Sequence, residues 1–599
     1  MDDGPANQSD IRREAPASVS SVEPGDVEYR EAVGAPNETR RLLDIVGGSV
    51  VAPVVIAAVG AILFIVNLGG YPLYTKGEPR EAVTVLDIAA AHSIGGVILP
   101  LRAGVEIPSK PLLMHWMAAI ISTPFGVNEW TVRIPSAALA ILGMLACWYY
   151  VRALFDSRAA ILAALILGTT LQYLQAGSGA RVDTTLTFFL EIAFFEFVAM
   201  AEGASRRRWL FFIALAMAVL AKGPVGVVLP IAVAGAWIVI QRRWRLLNEI
   251  DWVRGGVIVL AVAGSWYIAA AVVGGRAFIE KQVLSENFVR FLGASEFHEG
   301  HVHPFYYVEL SLIAGFMPWT PVLALAAYRA IRAPRALDSR MAYLLVWIGV
   351  VLVFYSVAKS KRGVYLLALY PALATMLALY LADEIRAPIV PRLSQWLTHI
   401  SAVVAGLVAL VAMISIAMLW LSPSAFGAIL YATGIHADGL AGALRSVGMI
   451  HISSVVVMTI AAAALAVALW RIRSEAQAMT CGIVGVMLIV VSAANIVVVP
   501  AIAQTLSLKD FASDVLKITE GRSLGYLGML DYDVAFYTRR TIPIISSISH
   551  DAPDYLICFQ ESWEKNAAAD RLGYETILTS NPTDLDGSGR MILLKRVSA

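Results

Sequence analysis

Charged residues are scarce in this chain. Among its 599 residues only 15% are Asp, Glu, Lys or Arg, whereas 58% are hydrophobic, and the mean hydropathy is +0.69. Soluble globular domains carry about 25% charged residues, so this composition excludes an ordinary soluble protein and is typical of one that uses lipid as its solvent. The formal net charge of +1 gives no support for a nucleic-acid partner. We therefore expect a polytopic integral membrane protein.

Cysteine is also rare. The three cysteines, Cys147, Cys481 and Cys558, match no metal-binding or disulfide spacing, so they carry no information about the cellular compartment. The N-terminal forty residues are polar, carry scattered Pro and Ser, and lack the short apolar core of a signal peptide. We predict that residues 1–45 form a disordered cytoplasmic tail and that the first hydrophobic helix is an uncleaved anchor.

Long apolar runs dominate residues 46–503. A span needs roughly 20 apolar residues to cross about 30 Å of hydrocarbon, and this criterion predicts thirteen spans. They lie near 49–68, 134–152, 158–176, 184–202, 208–222, 224–241, 253–273, 308–328, 341–357, 363–382, 399–420, 449–470 and 480–502. Two shorter amphipathic stretches, 80–92 and 111–123, are predicted as interfacial helices within a first exoplasmic loop, residues 70–133.

The arginines of the short loops predict which side of the membrane each loop occupies. With the N-terminus inside, every predicted cytoplasmic loop between spans carries at least two arginines, as short cytoplasmic loops do. The odd number of spans then places residues 504–599 on the exoplasmic face. Their strand-like runs "SLGYLGML", "DYLICF" and "RMILLKRV" alternate with helix-like stretches such as "SLKDFASDVLKIT", which predicts a small exoplasmic α/β domain.

Many of the remaining charges fall on the predicted exoplasmic side, in six separate stretches. They are Glu78, Arg80, Glu81, Lys110, Arg181, Asp183, Lys222, Arg290, His301, His303, Lys359, Lys361 and Arg362. Ionisable residues at such helix ends face a cavity, a partner or a substrate, so one shared polar cavity is the economical interpretation. Cations mixed with Tyr and Trp suit a lipid-linked phosphate, and nearby carboxylates suit a general base or a metal ligand in group transfer.

Short motifs in a fixed order carry a family resemblance. "GEPREAV", "IPSKPLLMHW", "ARVDTTLTFF", "LAKGPVG", "ENFVRF", "HVHPFYYV" and "SVAKSKRGVYLLALYP" resemble those of the polyprenyl-phosphate-sugar-dependent membrane glycosyltransferases. This group includes the protein O-mannosyltransferases and, with closer similarity, the lipid A aminoarabinose transferases. The resemblance covers about residues 50–385. It implies a mainly α GT-C fold with thirteen spans, two interfacial helices and a C-terminal exoplasmic domain.

The resemblance also implies which residues form the site. Glu78 and Asp183 would be catalytic, and Lys110 would bind the donor phosphate. The full predicted donor-phosphate set is Arg80, Lys110, Arg290, Lys359, Lys361 and Tyr365, with Lys222, His301 and His303 as further site residues. One position departs from the family, because Gly77 stands where the family has the Asp usually taken as the acid/base residue. The identity of the base, and activity itself, are therefore in question.

Several of these residues also have a structural interpretation. Glu78 could pair with Arg80 or Arg133, Lys110 could reach the lipid headgroups, and Asp183 could hold Arg181 at a helix start. His301 and His303 could bind a divalent metal ion, although hydrogen bonding within a loop is the commoner role of such residues. The main interpretation of the residues "LAKGPVG" is a kinked helix junction, and a ligand site is the second interpretation.

Sugar transfer from a polyprenyl-phosphate donor to an exoplasmic acceptor is the leading function. Lipid A, another glycan and a protein all remain possible acceptors. The expected location is the bacterial inner membrane, with the active site on the periplasmic face. The alternatives are a transporter or flippase of a polyprenyl-linked lipid, and a catalytically inactive relative. No inverted repeat is evident between the halves, which argues against the transporter.

Overall fold

The computed structural model describes residues 50–75, 77–289, 303–332, 338–386, 476–548, 552–565, 573–581, 583 and 589–597. Within these residues the chain is mainly helical, with one small sheet near the C-terminus. The predicted cytoplasmic tail, the predicted spans 399–420 and 449–470, and the predicted site residues Arg290 and His301 lie outside the described residues.

Nineteen α-helices precede the C-terminal region within the described residues. In chain order they are α1 Val51–Phe64, α2 Glu78–Ala89, α3 Ile94–Ile98, α4 Leu113–Phe125, α5 Glu129–Leu154, α6 Ser157–Thr169, α7 Leu171–Gly177, α8 Val182–Ala201, α9 Arg208–Lys222, α10 Val225–Gln241, α11 Leu246–Glu249, α12 Trp252–Val259, α13 Ser265–Phe278, α14 Tyr307–Gly315, α15 Thr320–Arg332, α16 Ser339–Val357, α17 Tyr370–Arg386, α18 Ala476–Ala493 and α19 Val499–Leu506. Residues Leu260–Gly264, Ile279–Val289 and Ala494–Val498 are π-helical, and Gly363–Leu369 is a 3₁₀-helix.

Five of the described helical segments are long and apolar enough to cross a membrane, and the number rises to seven if each of two bent pairs counts as one span. This finding agrees with a polytopic membrane protein. The total of thirteen spans stays a prediction, because two of the predicted spans lie outside the described residues. The segments α1, α4 and α10 are apolar but shorter.

Two of the predicted spans are bent, which hydropathy did not predict. The run 158–176 breaks between α6 and α7 with an angle of 68°, and α14 meets α15 at 115°. At the first break Thr170 adopts an extended backbone, and its hydroxyl donates to the Leu167 carbonyl at 2.9 Å. At the second, Pro318 has no N–H to continue a helical ladder. The apolar run 158–176 is therefore two helices rather than one.

The "LAKGPVG" junction between α9 and α10 was predicted correctly. Gly223 has φ +86°, a conformation that residues with a Cβ rarely adopt, and Pro224 follows directly. The helix α9 therefore ends at Lys222 and leaves this cation at a helix terminus.

The first loop contains the two predicted helices, as α2 and α4, and a short extra helix, α3. The apolar faces of α2 and α4 form a second core with Leu73 and Val132. Ala535 and Phe536 of the C-terminal region belong to the same core, so the C-terminal region is anchored on the first loop. The helices were predicted at 80–92 and 111–123, and their observed bounds differ by up to three residues.

The C-terminal region, residues 507–597, contains a five-stranded mixed sheet. Its elements are α20 Lys509–Ile518, β1 Leu524–Leu527, α21 Tyr532–Thr538, β2 Ile544–Ile545, β3 Tyr555–Phe559, α22 Gln560–Lys565, β4 Tyr574–Thr579 and β5 Met591–Arg596. The strand order is β2-β1-β3-β5-β4, with β1 parallel to β2 and β3, and β5 antiparallel to β3 and β4. The three predicted strand-like runs form β1, β3 and β5, and the predicted helix forms α20.

Polar contacts fasten this region to the start of α5. The Lys509 ammonium lies 2.7 Å from Glu129 Oε1, and the Tyr537 hydroxyl donates to the same oxygen at 3.2 Å. The Tyr537 oxygen also accepts the Leu73 N–H at 2.8 Å, and Arg539 donates to the Val127 carbonyl at 2.7 Å. The C-terminal region therefore lies directly over the first loop and the segment that carries Glu78.

Candidate active site

Glu78 is held in a buried ion pair. Its side chain is 2% exposed and Arg133 is fully buried. Arg133 Nε donates to Glu78 Oε1 at 2.9 Å, and Nη2 donates to Oε2 at 3.2 Å. The Ala180 N–H donates to the same Oε1 at 3.1 Å. Burial raises the pKa of Glu78, but the Arg133 cation and these hydrogen bonds outweigh it and hold the pKa below its usual range.

Arg133 is fixed in turn by the chain ahead of Glu78. Its guanidinium donates to the carbonyls of Leu68 and Tyr71 at 2.9 Å and of Pro72 at 3.0 Å, and it lies 4.1 Å from the centre of the Tyr71 ring. The capping box at Asn128 begins α5 one turn earlier and sets the position of Arg133. Of the two cations considered as structural partners of Glu78, Arg133 is the one that forms the ion pair.

Arg80 pairs with Glu81 instead. Its Nη2 lies 2.7 Å from Glu81 Oε1, while Glu81 Oε2 lies 2.7 Å from Nε2 of the fully buried His115. Burial opposes ionisation of Glu81, yet Arg80 and His115 keep its pKa well below the usual range. Sequence reasoning missed His115 as a site neighbour, although it stands four residues after Pro111 in the motif "SKPLLMHW".

A second charged network joins the first loop to the C-terminal region. The buried Arg102 donates to Thr84 Oγ1 at 2.9 Å and to Glu106 Oε2 at 3.3 Å. The Tyr532 hydroxyl hydrogen-bonds to Glu106 as well, and Lys281 lies 3.7 Å from Glu106 Oε1. None of these residues was predicted to belong to the site. The first loop, Lys281 and Tyr532 lie far apart in the sequence, so no local pattern indicated that they would be in contact.

Lys110 forms an ion pair with Glu286. The distance from Nζ to Oε2 is 3.1 Å, and both side chains are mostly buried. The loop that carries Lys110 is held by Gln282, which donates to the Pro108 carbonyl at 2.9 Å. Glu286 belongs to the "ENFVRF" motif whose Arg290 was predicted to bind phosphate. Glu286, the first residue of that motif, is therefore the residue that contacts Lys110.

Asp183, Lys222 and Tyr365 meet in one cluster, although they come from three helices. Asp183 lies in the first turn of α8, where a carboxylate suits the helix dipole. Its Oδ1 pairs with the ammonium of Lys222, which lies 4.0 Å from the centre of the Tyr365 ring. Asp183 and Lys222 are 15% and 12% exposed. The cluster combines a carboxylate, a cation and an aromatic face in a partly accessible place.

Lys359, Lys361 and His303 are also among the described residues, and their surroundings differ from those of this cluster. Lys361 is 6% exposed, and its Nζ donates to the Ala358 carbonyl at 2.6 Å, at the end of α16. Lys359 is exposed. His303 stacks on the Tyr307 ring at a centroid distance of 3.9 Å. Within the described residues no group of three or more His, Cys, Asp or Glu side chains is placed to hold a metal ion.

A cavity of about 350 Å³ opens beside Glu78. Its lining comes from residues 71–78, which lead into α2, from α7 and the turn after it, and from residues 491–499 at the junction of α18 and α19. The polar members are Tyr71, Tyr74, Thr75, Glu78, Gln175, Ser178, Arg181 and Asn495, and the apolar members include Leu171, Leu174, Val491, Ala494 and Val499. Arg181 was predicted, with Glu78, to face one shared polar cavity, and both residues line this one.

Comparison with known proteins gives three kinds of match. A family model described as dolichyl-phosphate-mannose-protein mannosyltransferase matches residues 109–282. The undecaprenyl phosphate-alpha-4-amino-4-deoxy-L-arabinose arabinosyl transferase of Enterobacter sp. (strain 638) is 26% identical over 358 residues, which cover 58% of this chain and 63% of that protein. The protein of the same name from Aeromonas salmonicida (strain A449) is 28% identical over 376 residues, which cover 61% and 65%. The chain thus aligns with less than two thirds of the length of either relative.

A solved structure matches over nearly the whole chain. ArnT from Cupriavidus metallidurans bound to undecaprenyl phosphate aligns with a TM-score of 0.69 at 19% identity, covering 91% of this chain and 98% of that one. This likeness shows that the chain has a GT-C membrane fold. Together the matches confirm the resemblance to polyprenyl-phosphate-sugar-dependent membrane glycosyltransferases, the enzyme class that the motifs predicted.

Proposed function

We propose that this protein transfers a sugar from a polyprenyl-phosphate-linked donor to an acceptor on the exoplasmic face of the membrane. The observation that carries the proposal is the cluster of Asp183, Lys222 and Tyr365 at helix ends. It supplies a base, a cation and an amphipathic ring for one reaction. The names of the aligned relatives and the undecaprenyl phosphate bound to the structural relative support the same donor class.

The reaction needs one bond broken, one formed and one proton moved. The bond between the anomeric carbon and the phosphate oxygen breaks, the acceptor oxygen bonds to that carbon, and the acceptor loses its proton. Lys222 would stabilise the negative charge that grows on the departing phosphate. Asp183 would accept the proton, because Lys222 pairs with its Oδ1, while its Oδ2 makes no hydrogen bond within the described residues. Lys110, Arg290 and Lys359 are proposed as further phosphate ligands on the sequence motifs alone.

Arg80 and Lys361 would help to hold the donor phosphate only with their remaining N–H groups, because each already donates within the protein.

We assign Glu78 a different task from Asp183. A carboxylate whose pKa is lowered and whose Oε1 already accepts two hydrogen bonds is a weak base. Glu78 lines the cavity, and its Oε2, which accepts one hydrogen bond from Arg133, would accept another from the acceptor and so orient it.

Gly77 does not prevent this chemistry on steric grounds. A Cβ at Gly77 would meet no described atom within 4 Å, so the space directly beside this backbone position is open. We propose an active enzyme in which Asp183, paired with Lys222 through Oδ1, is the base. The acceptor stays undecided among lipid A, another glycan and a protein, and the bacterial inner membrane with a periplasmic site is the proposed location.

Binding of undecaprenyl phosphate to the purified full chain tests the donor site. Lys222→Met removes one charged hydrogen bond, so we expect about tenfold to a hundredfold weaker binding. Asp183→Asn should keep donor binding and lose turnover by roughly 10²- to 10⁴-fold. Lys517→Met, on an exposed face of the C-terminal region, is the matched control for a lost lysine. Unchanged binding in a folded Lys222→Met variant would refute the assignment of Lys222.

A further inference from the structure

We propose that the end of α8 opposite Asp183 carries a binding site for the headgroups of anionic phospholipids. The site consists of five exposed arginines on the connection from α8 into α9 and on the turn after α10. These residues, called the arginine patch, are Arg206, Arg207, Arg208, Arg242 and Arg245. Asp183 lies in the first turn of α8, roughly 30 Å away at 1.5 Å per residue, so the arginine patch cannot share the donor phosphate.

The arginine patch has no counter-charge of its own. None of its five side chains makes a hydrogen bond or an ion pair with another residue that the structure describes. Residues 202–208 and 242–254 hold seven arginines and three carboxylates, a net charge of +4. Two of these carboxylates pair with arginines outside the patch. The pairs are Glu202–Arg243 at 2.8 Å and Asp251–Arg254 at 3.3 Å.

Arginines of other loops on the same predicted side have partners where the structure describes them. Arg340 pairs with Asp338 at 2.7 Å, and Arg152 lies 5.4 Å from the centre of the Trp148 ring. The general excess of arginine in short cytoplasmic loops therefore does not explain why five guanidinium groups are left unpaired together.

The two segments that carry the arginine patch are in contact with each other. Arg243, which pairs with Glu202, also donates to the Ala201 carbonyl at 3.3 Å. A second contact lies beyond the turn, where the Trp252 ring is 5.9 Å from the Phe212 ring of α9. The arginines before α9 and those after α10 therefore belong to one surface.

Two local features of the backbone favour an anion at this surface. Arg242 ends α10 with φ +53° and ψ +31°, a left-handed conformation in which glycine is the usual residue. Such strain accompanies functional positions. No side chain caps the start of α9, where Arg207 and Arg208 add to the positive end of the helix dipole. A bound anion would offset both charges.

The surroundings of the arginine patch favour a lipid over a soluble anion. Exposed apolar side chains border it, and in a membrane protein these contact the bilayer. They are Val239, Ile240, Val253 and Val257. Trp209 and Trp244 are 57% and 54% exposed, and tryptophan is enriched at the level of the headgroups. Basic clusters at the ends of spanning helices recognise anionic headgroups.

Quenching of a fluorophore beside the arginine patch tests the inference on the purified full chain. The fluorophore is attached to Asn248→Cys, an exposed position, in a cysteine-free background. Phosphatidylglycerol with a nitroxide on its acyl chain is the probe, and phosphatidylcholine with the same nitroxide is the zwitterionic control. The anionic lipid should quench at the lower concentration. Arg206→Gln combined with Arg207→Gln should weaken its binding about 25-fold, since each arginine near the surface contributes about fivefold.

Arg242→Gly separates lipid binding from folding. Glycine is favoured in the left-handed conformation, so the melting temperature without added lipid should not fall, whereas binding should weaken about fivefold. Arg276→Gln is the matched control, because Arg276 is 90% exposed beside Glu280 and lies toward the far end of the helical segment Trp252–Glu286. This control should leave the quenching unchanged.

Unchanged quenching in both arginine-patch variants would refute the site. Equal quenching by the phosphatidylcholine probe, or competition by inorganic phosphate at the concentration of the lipid, would refute recognition of an anionic lipid. A melting temperature that falls in Arg242→Gly would overturn the role of Arg242 in binding. None of these measurements depends on sugar transfer, so this inference and the proposed function fail separately.

Discussion

Glu78→Gln is the substitution whose effect the structure defines most sharply. The change keeps the size of the side chain and removes its negative charge. Arg133 would retain its bonds to three backbone carbonyls but would lose the carboxylate that receives two of its five hydrogen bonds. A fully buried cation would then lie without a counter-charge.

The resulting loss in the free energy of unfolding can be given to an order of magnitude. Removing one partner of a buried ion pair destabilises a protein by about 3–5 kcal/mol. Asp514→Asn is the control, because it breaks the exposed Lys517–Asp514 pair of 2.9 Å, and such pairs contribute about 0–1 kcal/mol. We therefore expect a clear loss of folding free energy for the first variant and almost none for the second.

Reversible denaturation of the detergent-solubilised chain measures both values. The double variant Glu78→Gln with Arg133→Gln should lose less than the sum of the two single variants, since the pair acts as a unit. The pKa of Glu78 is lowered in the folded state, so its stabilising contribution is present above the unfolded pKa and is lost as the pH falls through the folded value. If Glu78→Gln costs less than about 1 kcal/mol while turnover falls a hundredfold, Glu78 is the base and the anchoring role is refuted.

Three further predictions concern the base, the C-terminal region and the topology. The Gly77→Asp variant should fold normally. When it is combined with Asp183→Asn, it should not restore sugar transfer, and full restoration would show that an Asp at position 77 is the base. Burial and the neighbouring Asp531 raise the pKa of Asp533 well above its usual range, so its ionisation destabilises the fold as pH rises above the unfolded pKa. Asp533→Asn should therefore raise the melting temperature more at pH 8 than at pH 4, and an equal shift would contradict this. In a cysteine-free background, Arg206→Cys should resist an impermeant thiol reagent in intact cells, and labelling would refute the assigned topology.

Local features of the fold followed from the sequence. The helices α2 and α4, the strands β1, β3 and β5, and the junction at Gly223 each depend on short-range periodicity or on a single special residue. The strand β4 was not predicted, because it lies at the edge of the sheet and most of its residues are not buried. The bend at Thr170 was missed as well, since the apolar run continues through it.

Contacts between distant segments could be predicted only in part. The motifs named Glu78, Lys110, Asp183 and Lys222, but not which charge faces which. The Lys110–Glu286 pair joins residues 176 positions apart, and no local pattern encodes such a distance. Arg133 was considered as a partner of Glu78 only because a buried carboxylate needs a cation. The charges predicted one shared polar cavity, but not that α7, which follows the bend after α6, lines it.

Mass spectrometry of the envelope lipids and glycoproteins, from cells with and without this gene, tests the central claim most directly. If the protein transfers a sugar from a polyprenyl phosphate, its loss should lower the mass of one acceptor by a sugar residue. A polyprenyl-phosphate species carrying the same sugar should accumulate in those cells. The wild-type gene should reverse both changes, and a folded Asp183→Asn variant should reverse neither. If no acceptor loses a sugar whose mass matches an accumulating lipid, or if Asp183→Asn restores both, the account is contradicted.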